Sequence, residues 1–248
     1  MKAIVLSAGQ GRRLLPLTET RPKCLVQLSG RSLLAWQLDG LYEAGVTEAV
    51  VVVGFGAEQV EGEIAAIAPR GMRVRSLFNP FYAVADNLGS CWVARDEMAS
   101  GDFLILNGDT LFEPAVATRL MAAPAAPITL AVDRKPTYDS DDMKVRAAGR
   151  QLLAIGKTLP LEIVSAESIG FLRFSPVGGR LFVDAVETAM RRPQGLRQWY
   201  LSVIDGLAQA TGEVEIQSIE GLEWGEMDFP ADFLRNQALT ESWLSRAA

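Results

Sequence analysis

The chain has 248 residues, 49% of them hydrophobic, and a formal charge of −6, enough to bury one large core. That charge, with basic residues dispersed outside the first loop, excludes a broad nucleic-acid surface, and no apolar run is long enough to cross a bilayer. The absence of histidine excludes Ser-His-Asp and Cys-His catalysis and histidine-bound zinc, so any catalysis must use carboxylates, lysine, arginine or metal ions.

In chain order, Lys2–Leu6 is predicted as a buried strand that empties into a glycine turn with Gly9 and Gly11, followed by Arg12, Arg13, Pro16, Pro22 and Lys23. Ser32 to Ala44 has a broad apolar face and predicts a helix ended by Gly45. Further strands are predicted at Ala49–Gly54, Val74–Phe78, Phe103–Leu106 and Ile128–Val132, with helical segments between several of them. From Met143 the pattern turns antiparallel: MKVRA, then QLLAIGK, then SIGFLRFS, with Gly149 placed for a hairpin turn. Helices are expected at Gly178–Arg191 and Leu196–Ala210, a strand near Val214–Ile219 and a last helix from about Ala231.

The expected fold class is α/β: a mostly parallel, doubly wound (Rossmann-like) sheet with helices on both faces and a small antiparallel lobe. No Pro- or Ser-rich linker divides the chain, so one domain over residues 1–248 is expected. Within it, 1–135 forms the first part, 136–228 the second and 229–248 a C-terminal helix. The N-terminus lacks a signal-peptide pattern, and the default location is the cytoplasm. Cys24 and Cys91 have no metal-like spacing and are expected as free thiols. Ligands of such sheets sit beyond the carboxyl ends of the strands, so the Ser7–Arg13 and Asn107–Thr110 loops should open on one crevice.

The first loop is a phosphate site in outline. Its exposed amides attract phosphate oxygens, and its cations suit a polyphosphate. A P-loop is excluded because Arg12, not lysine, follows Gly11; a dinucleotide fingerprint is excluded by Leu14 and by Gly54 and Phe55 at the end of the second strand. The order Gly9, Gly11, Arg13, Leu14, Pro16, Thr18, Pro22, Lys23 resembles the GxGxRLxPLTxxxPK signature of nucleoside-triphosphate transferases that make nucleotide-activated sugars and alcohols. The resemblance implies a loop that wraps the triphosphate, with Leu6, Ser7, Ala8 and Gly9 near the base, Gly11 and Arg12 along the phosphates, and Lys23 and Arg13 as the catalytic cations.

Asp109 follows an apolar strand in FLILNGDT, where it either faces the crevice as a metal ligand or caps a following helix. The resemblance tilts it toward Mg²⁺, with Asp228 as second ligand and Glu226 as a third, or else a solvated acid. The WxEMD tail is similar to that of phosphocholine and inositol-phosphate cytidylyltransferases, and Asn87 and Ser90 match their NxxS pattern. Asn87 could read the cytosine edge, or it or Asp86 could cap a helix. The expected nucleotide is therefore CTP and the expected acceptor a small phosphorylated or phosphonylated alcohol of the phosphocholine or 2-aminoethylphosphonate type. The family carries a hairpin lysine against the acceptor's phosphate, which points to Lys157 and, unless it is merely solvated, Lys144. Asp133, Asp139, Asp141, Asp142, Glu162 and Glu167 with Trp199 and Tyr200 are the kit for a cationic head group, although the two aromatics could equally be core. Glu167 to Gly170 resembles the family's acceptor wall. A sugar-1-phosphate transferase and a non-catalytic regulatory relative remain the alternatives, and the oligomeric state is open.

Overall fold

The computed structural model describes residues 1–99 and 101–247; Ala248, the last residue of the expected C-terminal helix, lies outside the described residues. Its strands are β1 (Lys2–Ser7), β2 (Gln27–Leu28), β3 (Arg31–Ser32), β4 (Glu48–Val53), β5 (Arg73–Phe78), β6 (Phe103–Asn107), β7 (Thr110–Phe112), β8 (Ile128–Asp133), β9 (Lys144–Ala148), β10 (Gln151–Gly156), β11 (Ala166–Phe174), β12 (Val214–Ser218) and β13 (Trp224–Glu226). Its helices are α1 (Leu33–Glu43), α2 (Ala57–Ile67), α3 (Asn87–Val93), α4 (Pro114–Met121), α5 (Pro176–Met190), α6 (Tyr200–Thr211) and α7 (Pro230–Ala247). Helix α1 starts where expected because the Ser32 side chain accepts the Ala35 N–H.

Nine strands form one sheet in the order β5-β4-β1-β6-β11-β8-β12-β10-β9. Strand β1 is an interior strand parallel to both β4 and β6, and β4 is parallel to β5. Period-two alternation sends Ala3 and Val5 to one face, packed with Leu34 and Leu38 of α1, Val60 of α2 and Val116 of α4. Ile4 and Leu6 go to the other, with Leu88 of α3, Phe182 of α5 and Ile204 of α6. Helices thus cover both faces, and the carboxyl ends of β1 and β6 open side by side.

The expectation of a mostly parallel sheet with a small antiparallel lobe needs correction. Strand β11 enters antiparallel between β6 and β8, β10 is antiparallel to β12 and β9, and only β8 and β12 add a further parallel pair. The sheet is mixed, and its antiparallel strands continue it. The cause is β11, nine residues long and almost wholly buried, whose register shifts between Ser168 and Leu172. Ala166 and Glu167 pair with β9, while Phe171 to Phe174 pair with β6. A sequence-local pattern does not show that one strand serves three partners. The expected helix at Leu196 begins instead at Tyr200, after a 3-10 turn over Gly195–Arg197.

Candidate active site

At the end of β1 the chain turns through Gly11, whose φ of +75° suits a residue without a Cβ. A Cβ there would also lie 2.9 Å from Lys23 Cβ and Cδ, so glycine is what lets the Lys23 stem pass across the turn. Leu14 fixes the loop from below, buried with Val26, Leu28, Leu33, Leu111 and Met227. Thr18 Oγ1 donates to the Gly11 carbonyl at 2.7 Å. Under the neighbouring turn, Gly108 leaves room for the Leu6 carbonyl, which a Cβ would approach to 2.5 Å.

These turns border a cavity of about 340 Å³. Of the residues expected around the nucleotide, Leu6, Ser7, Ala8, Gly9, Gly11, Asn87 and Ser90 line it, as do Arg13, Lys23, Asp109 and Asp228. Arg12 does not; it is exposed outside the lining. Asn87 Oδ1 accepts the Tyr200 N–H at 2.9 Å, which fixes the amide and leaves its NH₂ as the free donor. Ser90 Oγ accepts from Asn79 Nδ2 at 3.0 Å, so the serine hydroxyl is held rather than free.

The charged groups alternate in one chain. Lys23 Nζ donates to Asp109 at 2.8 Å and also to Asp228; Arg13 donates to Asp228 at 2.7 Å and to Asp141; Lys157 donates to Asp141 at 2.6 Å. Burial alone would push the Lys23 ammonium down, but Asp109 and Asp228 outweigh it and raise it above its ordinary value. Asp228 and Asp141 likewise outweigh the desolvation of Arg13 and hold it raised. Lys23 and Arg13 are therefore charged at neutral pH. Asp109 is not a helix cap, since β7 follows it directly. Instead its backbone carbonyl accepts the Met227 N–H at 3.0 Å, which joins the strand end to the Asp228 segment.

A contiguous cavity of about 120 Å³ is lined by Arg13, Asn87, Asp109, Asp141, Lys157, Ser168, Gly170, Trp199, Glu226 and Asp228. Lys157 and Trp199 are together as expected, but the ammonium sits 4.7 Å from the ring centroid, so the aromatic face already holds a cation of the protein. Three other expectations fail. Tyr200 is fully buried in the core, its hydroxyl without a partner. Lys144 is 3% exposed and donates to the carbonyls of Asp139, Asp142 and Lys157. Glu167 faces away from the small cavity and pairs with Lys135 at 2.8 Å; Ser168 and Gly170 of the same strand face in. What decides each is the direction its side chain takes from the folded backbone, into the core, among loop carbonyls or toward Lys135, which residue type and spacing do not show.

Glu226 lies between the small cavity and a larger acidic one of about 640 Å³. No hydrogen bond or ion pair reaches its carboxylate among the described residues, and burial, with Asp109 and Asp228 nearby, pushes it up to about 8. Among the described residues no three or more carboxylate, cysteine or histidine groups gather as a metal cluster. Asp109 Oδ1 is buried without a hydrogen-bond partner.

One contributor escaped sequence reasoning, and a second was named without being singled out. Gln37 is fully buried on α1 and donates at 2.9 Å to both the Asn107 and Thr110 carbonyls, on either side of Asp109. Its signal was present: one amide among Leu33, Leu34, Ala35, Leu38 and Leu41 on an apolar face. Asp141 was one acid among many, and nothing local marked it.

A MobA-like NTP transferase domain model matches residues 3–162. The chain is 34% identical over 240 residues, 94% of its length, to a CMP-5'-(3-aminopropyl)phosphonate synthase of Streptomyces rubellomurinus, of which the match covers 37%. It is 37% identical over 100 residues to the choline-phosphate cytidylyltransferase of Streptococcus pneumoniae, covering 40% of this chain and 42% of that protein. The chain thus spans less than half the length of both relatives in these matches. In fold it is similar to the inositol-1-phosphate CTP transferase from T. maritima, with a TM-score of 0.80 and 20% identity, covering 96% of this chain and 94% of that one. With the family model matched over more than half its length, the chain belongs to the MobA-like NTP transferase family.

Proposed function

We propose that this chain is a CTP-dependent nucleotidyltransferase that moves a cytidylyl group to the phosphoryl or phosphonyl oxygen of a small amine-bearing alcohol derivative and releases pyrophosphate. The observation that carries this reading is the alternating chain Asp109, Lys23, Asp228, Arg13, Asp141, Lys157 along two contiguous cavities. One cavity suits a nucleotide, the other a smaller anion.

In the reaction, an acceptor oxygen forms a bond to the α-phosphorus, and the bond to the bridging oxygen breaks, its electron pair leaving with pyrophosphate. No protein base is needed: a phosphomonoester has a second pKa near 6 and is largely dianionic at neutral pH. That suits a chain without histidine. Lys23 and Arg13 neutralise charge on the triphosphate, and Lys157 holds the acceptor's anion. Asp109 and Asp228 would hold Mg²⁺, which when bound would neutralise phosphate charge. The fit is supported by the unpartnered Asp109 Oδ1 and by two carboxylates already sharing one cation. With two protein carboxylates, phosphate oxygens and water would complete the ligand set.

The base reading rests on Asn87. With Oδ1 committed to Tyr200, the NH₂ can donate to N3 of cytosine, an acceptor, whereas N3 of uracil is itself a donor. For the acceptor, the amine reading moves from the aromatic faces to Glu226, a carboxyl beside the small cavity with no hydrogen bond or ion pair among the described residues, whose charged form a bound ammonium would favour. The names of the phosphonate and choline-phosphate relatives support the same class. Such an enzyme would act in the cytoplasm; among the described residues no helix is long and apolar enough to cross a membrane.

The test is a pyrophosphate-release screen with Mg²⁺ of CTP, UTP, dTTP, GTP and ATP against phosphocholine, phosphoethanolamine, 2-aminoethylphosphonate, inositol-1-phosphate and glucose-1-phosphate. CTP with an amine-bearing acceptor should give the highest kcat/KM. A preference for UTP or dTTP with glucose-1-phosphate would replace this reading with sugar activation.

A further inference from the structure

Both oxygens of Asp141 are committed to the cations of the acceptor cavity, Oδ2 to Arg13 and Oδ1 to Lys157 at 2.6 Å. Its backbone is held by its neighbours. Asp139 Oδ1 accepts the Asp141 N–H at 2.7 Å and the Asp142 N–H at 3.2 Å, while Asp142 Oδ2 accepts from the Asp139 N–H and from Lys135, each at 2.7 Å. Buried Lys144 then clips this turn to the Lys157 carbonyl at 2.9 Å. The backbone is pinned while the side chain stays one-third exposed and can rotate away.

We propose that Asp141 is a specificity-determining residue whose carboxylate occupies the acceptor's anion position between Arg13 and Lys157, so that an acceptor binds only by displacing it. The inference rests on the reading of Lys157 as the acceptor's phosphate contact. Three cations and three carboxylates balance along the ribbon, so a dianion added beside Asp141 would leave negative charge in excess. Once Asp141 leaves, the dianion gains two cations. A monoanionic carboxylate offers these cations no more charge than Asp141 does, and it must also give up its freedom to bind, whereas Asp141 is already in place. A phosphoryl or phosphonyl dianion offers twice the charge, and it is also the species able to act as nucleophile.

The experiment titrates inorganic phosphate at pH 8 into the full chain without nucleotide, followed by ³¹P NMR, for the wild type, Asp141→Asn, Lys157→Ala and the double variant. Asp141→Asn should bind phosphate about tenfold more tightly, a modest share of what one unit charge at ion-pair distance exerts, and the gain should vanish when Lys157 is also removed. Asp141→Ser serves as a second neutral variant and should behave alike. Unchanged or weaker binding in both neutral variants would overturn the proposal, as would a gain that persists without Lys157. If the gain appears in a chain that transfers nucleotide to no acceptor, Asp141 keeps this role and the proposed reaction falls.

Discussion

Replacing Gln37 by leucine tests whether the turn carrying Asp109 is held from behind. The side chain is fully buried, and its NH₂ donates at 2.9 Å to the carbonyls of Asn107 and Thr110. Leucine removes both bonds while nearly conserving volume. Each buried carbonyl left unpaired costs about 1–3 kcal/mol. Against this, Gln37 Oε1 is itself buried without a partner, and deleting it returns about 1–3 kcal/mol. The expected net loss is therefore about 1–3 kcal/mol, within what a folded domain of this size tolerates. Asp109 stays anchored by Gly108 N–H to the Leu6 carbonyl at 3.1 Å and by Met227 N–H at 3.0 Å, so the turn should loosen rather than unfold. A misplacement of about 1 Å can cost about 10² in rate, and a partial loosening should lower kcat by about tenfold with little change in KM for the nucleotide. Urea unfolding and pyrophosphate release measure the two effects. A Gln37→Leu variant with wild-type midpoint and wild-type kcat would refute the reasoning, and Gln37→Glu, which turns a carboxylate toward two carbonyls, should be worse on both counts.

Lys23→Ala and Asp109→Ala should each lower turnover by about 10²–10³, the effect of removing one well-placed charge-stabilising group, and near-wild-type turnover in either purified variant would remove it from the mechanism. Asn87→Ala should narrow the preference for CTP over UTP, measured as the ratio of kcat/KM values; an unchanged ratio would mean that the base is read elsewhere. Burial pushes Glu167 up to about 7, Lys135 only partly opposing it. A carboxyl raised in the folded state costs nothing below its unfolded pKa near 4.5 and costs stability as pH rises through 7, by about 3 kcal/mol at most. Urea unfolding should therefore show Glu167→Gln gaining on the wild type between pH 5 and pH 8, and a difference independent of pH would count against the buried, charge-penalised carboxyl.

How much was legible in the sequence follows from the range of the interactions. Strand β1, its glycine turn and Lys23 were visible because apolar alternation, a missing Cβ and a proline-stiffened loop are properties of neighbours in sequence. The Asp109 position followed from a strand end for the same reason. The acceptor side depended on pairings across 128 residues for Arg13 with Asp141 and 113 for Asn87 with Tyr200, for which no local period exists. Lys144 and Lys157 illustrate the difference: both are hairpin lysines, yet the one that starts β9 points among backbone carbonyls and the one after β10 reaches the cavity. Trp199 and Tyr200 are adjacent, and the start of α6 between them sends one ring to the cavity and the other to the core. In both cases residue type was read correctly as chemistry, and orientation decided whether that chemistry was available. The same logic separates the carboxylates. Asp141 was indistinguishable from Asp139 and Asp142 by composition, but the Asx turn made by those two is what aims it between Arg13 and Lys157, so neighbours that reach neither cation determine which carboxylate does.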